Sequence, residues 1–120
     1  MSTSSYSAAR YSTAWRDLRW SQKEKAIARK AFDLALTREL DAVIRQAKER
    51  ATRLQGPDEL WEMEHWLTRR RQEIDSKYDF RYSVLPLVFA NLLRDGRISE
   101  DDLRGLGEDK LEVTRVAASL

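Results

Sequence analysis

The amino-acid sequence predicts an all-α fold: a long helical stem that dimerises, plus a small head of short helices. Three observations carry that expectation. The 120 residues include only two Pro and four Gly and no Cys, which argues against turn-rich all-β folds and disulfide scaffolds. Apolar residues recur at spacings of three and four over long stretches, the period of an amphipathic helix. Caps and breakers then mark where each helix starts and stops. The length allows one domain, read as residues 20–120, with the stem over about 21–78 and the head over about 79–120. Residues 1–14 are Ser/Thr-rich, with Arg10 and no acid. That composition is weakly like a transit peptide, but residues 1–19 are read as a disordered tail.

Ser21-Gln22-Lys23-Glu24 opens the first helix as a capping box, in which the Ser hydroxyl and the Glu carboxylate each accept from the other's backbone N–H. Apolar residues follow at Ile27, Ala31, Leu34, Leu36, Leu40, Val43, Ala47, Ala51 and Leu54, with no breaker before Gly56-Pro57. A helix of about 34 residues would be about 50 Å long, whereas a compact chain of this size is roughly 35 Å across. The helix overshoots its own domain. Its apolar seam therefore calls for a second copy laid alongside as a two-fold dimer.

Pro57-Asp58-Glu59 starts the second helix, since Pro suits the first turn and carboxylates suit the positive end of the macrodipole. Leu60, Met63, Leu67, Ile74 and Tyr78 form the stripe expected to be buried. The pattern blurs over 76–83, and a bend precedes Pro86, which belongs in the first turn of a third helix running to Asp95. Gly96 is the expected left-handed C-cap. Ser99-Glu100-Asp101-Asp102 begins a short fourth helix that ends at Gly105 or Gly107, and a last helix runs from about Glu108 to Ala118.

Composition narrows function by exclusion. With no Cys, one His and no Gly-rich phosphate loop, no convincing nucleophile-base-orienter arrangement or multi-His metal site can be assembled; the expectation is a non-enzymatic protein with no cofactor and no metal. His65, close to Glu62 and Glu64, reads as a surface residue. No run approaches the roughly 18 apolar residues of a membrane span, and no secretion-type h-region opens the chain, so a cytoplasmic protein is expected. The net charge of +2 divides into +6 over residues 1–56 and −4 over 57–120. Such polarity suits pairing of unlike halves as well as it suits nucleic acid. Arg69-Arg70-Arg71 fan out about 100° apart on a helix among Glu62, Glu64, Glu73 and Asp75. The short helices from Leu93 to Ala118 resemble a helix-turn-helix but carry five basic against seven acidic residues over 83–120. A DNA reader needs a basic footprint, so nucleic acid is not the expected partner.

The informative element is the outer face of the second helix. Trp61, Glu64, Thr68, Arg71 and Asp75 fall at spacings of three, four, three and four, so they share one stripe distinct from the apolar one, with His65 at its edge. An indole beside a guanidinium suits an interface hot spot. The alternative is that Trp61 packs on the first helix or across the dimer, and that Arg71 pairs with Asp75 one turn on.

Leu60-Trp61, the string Arg71-Gln72-Glu73-Ile74-Asp75-Ser76-Lys77-Tyr78-Asp79, and Val88-Phe89-Ala90 together resemble the fluorescence recovery protein family. Trp20-Ser21, Arg38-Glu39-Leu40-Asp41, Gly96 and Asp109-Lys110 extend the resemblance from about residue 20 to the C-terminus. It implies an all-α homodimer that binds the C-terminal domain of photoactivated orange carotenoid protein, or a related carotenoid-binding protein. The implied action is to speed that protein's return to the resting orange state, ending photoprotective quenching at thylakoid-bound phycobilisomes. The family's functional Trp and Arg fall on Trp61 and Arg71. Two departures stand out: the family's His-Asp pair is Glu64-His65 here, and an aromatic and a basic head residue are replaced by Leu87 and Val113. The partner-binding set expected from the stripe and the resemblance together is Trp61, Glu64, His65, Arg71 and Asp75, with Leu87 as a second contact on the head. The rival expectation is a dimeric scaffold of the same fold with a different partner.

Overall fold

A computed structural model describes residues 18–120; the reading of a Ser/Thr-rich tail falls almost wholly on residues 1–17, which lie outside the described residues. The chain forms α1 (Gln22–Thr52), α2 (Pro57–Lys77), α3 (Leu85–Arg94), a 3-10 turn (Glu100–Leu103) and α4 (Glu108–Ser119). The fold is all-α, with no β-strand among the described residues.

The predicted end signals operate as read. The Ser21 N–H donates to the Glu24 carboxylate at 3.0 Å, and the Glu24 N–H to the Ser21 hydroxyl at 3.1 Å. Pro57 occupies the first turn of α2, where its missing N–H costs no intrahelical bond. α3 closes on Gly96 at φ 72°, with the Gly96 N–H donating to the Leu93 carbonyl and the Arg97 N–H to the Leu92 carbonyl. This pair of bonds is the Schellman cap that a left-handed glycine permits. The short fourth helix is a single 3-10 turn, whose start is fixed by the Ser99 N–H on the Asp102 carboxylate at 2.9 Å.

The core lies around the first half of α1. Ala28, Ala31, Phe32 and Ala35 pack against Leu85, Val88, Phe89 and Leu92 of α3 and against Ile98, Leu103 and Leu106 beyond it. Three alanines on one face let the head approach closely. Gly105 marks the tightest point: at φ 102° it faces Ile27, and a Cβ there would stand 2.5 Å from the Ile27 Cδ1. The link between α2 and α3 runs along α1 as a row of aromatic contacts, Tyr78 and Phe80 edge-on to Phe32, Phe80 against Tyr82, and Tyr82 against Trp20. The Arg29 guanidinium covers Phe80 at 3.7 Å, a cation–π contact that shields the ring from water. α4 packs on α3 and buries Val113, Thr114 and Ala117.

Beyond the head, α1 and α2 run on as a hairpin. The molecule extends 57 × 39 × 19 Å with a radius of gyration of 17.9 Å, against about 13 Å for a compact chain of roughly 100 residues. Two expectations about its faces need correction. The apolar positions of α1 do not form one stripe. The face buried inside the chain carries Ala28, Ala31, Phe32, Ala35, Glu39 and Ala42, while Leu40 and Ile44 point about 140° and 180° away from Ala35 at 100° per residue and remain exposed. Nor is the Leu60-Met63-Leu67-Ile74 stripe of α2 buried. No residue of α2 is buried among the described residues, and Leu60 is 47% exposed. The periodicity correctly located apolar faces, but a single chain does not cover them.

Candidate functional site

The stripe on α2 lies where a partner could reach it. Trp61 is 60% exposed, so it does not pack on α1, and Glu64, His65, Thr68, Arg71 and Asp75 are exposed with it. No ion pair joins Arg71 to Asp75 among the described residues, so the guanidinium is not held by the acid one turn on. Within the stripe, the Thr68 hydroxyl donates to Glu64 at 3.2 Å, and His65 Nε2 stands 3.8 Å from the same carboxylate. Leu60 and Leu67 run alongside: Arg71 is turned only about 20° from Leu60 around the helix, and Trp61 about 100°. The apolar ridge of α2 therefore borders the stripe. Leu87 is on a separate element, α3, and is 39% exposed. Val113 is buried in α4, so it serves the core rather than any surface.

Sequence reasoning passed over Trp66. It lies five residues beyond Trp61, about 140° around the helix, half-buried and covered by the Arg50 guanidinium at 4.4 Å. Together they line a groove of about 400 Å³ near the hairpin turn, with Glu49, Arg53, Glu62 and Met63. Among the described residues, no group of three or more His, Cys, Asp or Glu side chains is placed to hold a metal ion.

Two carboxylates of α1 organise the remainder. Glu39, 2% exposed, receives Lys77 at 2.6 Å, Arg70 at 3.0 Å, the Tyr78 hydroxyl at 3.1 Å and Arg97 at 3.2 Å. Burial opposes its ionisation, but the hydrogen bonds from Lys77 and Arg70 outweigh that and hold its pKa at about 2. Burial, reinforced by the negative charge of Glu39, pushes the Tyr78 phenol up. Glu24 does for the N-terminal end of α1 what Glu39 does at mid-helix: it accepts from the Gly107 N–H at 2.7 Å and pairs with the buried Lys110 at 3.2 Å. Lys110 also donates to the Arg19 carbonyl, tying α4 to the start of α1. A sequence signal for Glu39 existed: Phe32, Ala35, Glu39 and Ala42 are spaced three, four and three apart, which puts an acid in the middle of a buried face.

Residues 20–118 match the family described as photoprotection regulator fluorescence recovery protein. The chain belongs to the fluorescence recovery protein family. It is 38% identical over 101 residues to the fluorescence recovery protein of Synechocystis sp., covering 84% of this chain and 93% of that one. Among solved structures, it is similar to the Fremyella diplosiphon fluorescence recovery protein, with a TM-score of 0.81 and 36% identity. The Synechocystis structure gives a TM-score of 0.81 at 37% identity. Both alignments cover 85% of this chain and 100% of the other. Several residues that carried the fluorescence recovery protein resemblance now have physical roles. Trp20-Ser21 and Asp109-Lys110 meet at the Glu24 junction, while Glu39, Lys77 and Tyr78 meet at the other.

Proposed function

We propose that the chain is a non-enzymatic homodimeric regulator. It binds the C-terminal domain of photoactivated orange carotenoid protein and accelerates its return to the resting orange state, ending quenching at the phycobilisome. The observation that carries this reading is the Trp61–Arg71 stripe: a large indole and a guanidinium held out to solvent on a helix whose partners lie on its other side. A second copy supplies the cover that Leu40, Ile44, Leu60 and Leu67 lack, and the stripe then lies at the rim of that seam. Trp61 is the apolar anchor and Arg71 the charge clamp, with Glu64, His65 and Asp75 tuning specificity and Leu87 giving a contact on the head. It acts in the cytoplasm and reaches thylakoid-bound phycobilisomes through its partner.

No covalent step is needed. A regulator that binds the resting arrangement more tightly than the open one shifts the equilibrium by that difference, and one that binds the transition-state arrangement most tightly speeds the return. Central Trp and Arg anchors each contribute about 2 kcal/mol or more, or about 30-fold in affinity. Trp61→Ala and Arg71→Leu are therefore each expected to weaken the complex about 30-fold or more and to abolish the acceleration of red-to-orange recovery. Mass and helical circular dichroism should stay unchanged. Parent-like recovery rates in both variants would remove the stripe from the site. The Glu64-His65 order supports a second reading, the same dimer acting on a different partner, which predicts no complex and no acceleration when the chain is mixed with illuminated orange carotenoid protein.

A further inference from the structure

α2 is attached to the rest of the chain without burying a single one of its side chains among the described residues. Apolar contact is non-directional and would leave such a helix free to choose its rotation. Hydrogen bonds to a fixed acceptor are directional and remove that freedom. Toward its C-terminal end, the attaching groups are Arg70 and Lys77, followed by Tyr78, and all three converge on Glu39. The head reaches the same carboxylate through Arg97, and Lys77 also pairs with Asp95 at the end of α3, at 2.6 Å. Glu73 completes the cluster on Arg70 at 2.8 Å, giving three cations and three carboxylates, a neutral set. The preceding residue strengthens the joint, since Arg38 donates to the Arg97 carbonyl at 2.8 Å and pairs with Asp102 at 3.2 Å.

An ion-pair cluster built on a buried carboxylate, with its outer members Asp95 and Glu73 exposed, adds little net stability over well-packed apolar side chains, because desolvation of the central charge offsets most of the Coulomb gain. What it supplies is geometry. We propose that Glu39 is a conformational lock, the carboxylate at which α1, α2 and the head are joined, and that it fixes the rotation of α2 against α1 and the head. Its consequence for binding, which rests on the function proposed above, is that the Trp61–Arg71 stripe and the Leu87 surface are presented in one arrangement rather than many.

The chain contains no Cys, so Gln72→Cys and Glu112→Cys give unique labelling positions on α2 and α4. One doubly spin-labelled subunit diluted into unlabelled protein reports the distance between the stem and the head. The native chain is expected to give one narrow distance distribution, and Glu39→Gln a broadened or displaced one at unchanged helix content. Should Glu39→Gln fail to fold, Arg97→Gln combined with Asp95→Asn removes the head's two links to the cluster while leaving Glu39 paired with Arg70 and Lys77, and it is expected to broaden the same distance. A native-like distribution in the variant that folds overturns the lock. Where the native chain binds orange carotenoid protein, Glu39→Gln is expected to weaken that complex about tenfold, within the usual range of coupling between sites. If the native chain does not bind it, the proposed function fails, and the distance measurement still decides the lock.

Discussion

At the scale of single residues, Glu24 and Glu39 set how the protein responds to acid. Both are expensive to bury, and both are held ionised, with pKa values of about 2: Glu24 by the Ser21 N–H of its own cap and then by Gly107 and Lys110, Glu39 by Lys77 and Arg70. In the unfolded chain a Glu titrates near about 4.3. A depressed folded-state pKa gives stability that is complete above the unfolded value and lost as pH falls through the folded one. The thermal midpoint is therefore expected to be level above about pH 5 and to fall steadily toward pH 2. Thermal melts over that range check it, and Glu39→Gln should flatten the fall by removing one of the two groups. A midpoint independent of pH across that range would show that neither carboxylate is held as described.

At the scale of elements, caps and breakers were the most readable features because they are local chemistry. The capping box at Ser21 and the glycine cap at Gly96 need only residues within a turn of each other, so spacing in the sequence is enough to specify them. Ser21→Ala is expected to cost about 1 kcal/mol, measured as a lower denaturant midpoint with an unchanged slope. Only the hydroxyl that accepts from the Glu24 N–H is lost; the backbone N–H of residue 21 still reaches one Glu24 oxygen and Gly107 the other, so α4 is expected to stay in place. The extent of the fourth helix was less readable. Ser99 and Asp102 fix its start, but Gly105, at positive φ, has room against Ile27 only because it lacks a Cβ, and that crossing lies 78 positions away in the sequence.

At the scale of the whole molecule, the governing feature is the set of large apolar side chains that the hairpin leaves exposed on α1 and α2. Ile44 is 51% exposed on α1, opposite the face that packs against the head, and Leu60 and Leu67 carry the exposure onto α2. Under the dimeric reading, Ile44→Glu places a carboxylate in the seam and is expected to halve the mass seen by light scattering at low micromolar concentration. Helix content should fall only modestly, since the head core of Phe32, Leu85, Phe89 and Leu92 does not depend on the seam. An Ile44→Glu variant with native mass would mean that the face is covered some other way. The exposed Leu60 and Leu67 border the Trp61–Arg71 stripe, so under the same dimeric reading the variant also tests whether the stripe works without a neighbouring copy.

The sequence alone determined the helical class, four of the helix ends, which residues share the Trp61–Arg71 stripe of α2, and the family, because each is written in neighbouring residues or in one continuous string of them. It could not assign faces. Leu40 and Ala42 are both apolar positions of one helix, and only the packed fold decides that Ala42 is covered and Leu40 is not. It also could not single out Glu39 as a junction: its three donors and its fourth ionic partner, Arg97, come from positions 31 to 58 residues further along, and only the fold brings them to one carboxylate. Local chemistry is legible in order along the chain; the meeting of distant side chains is a property of the packed molecule.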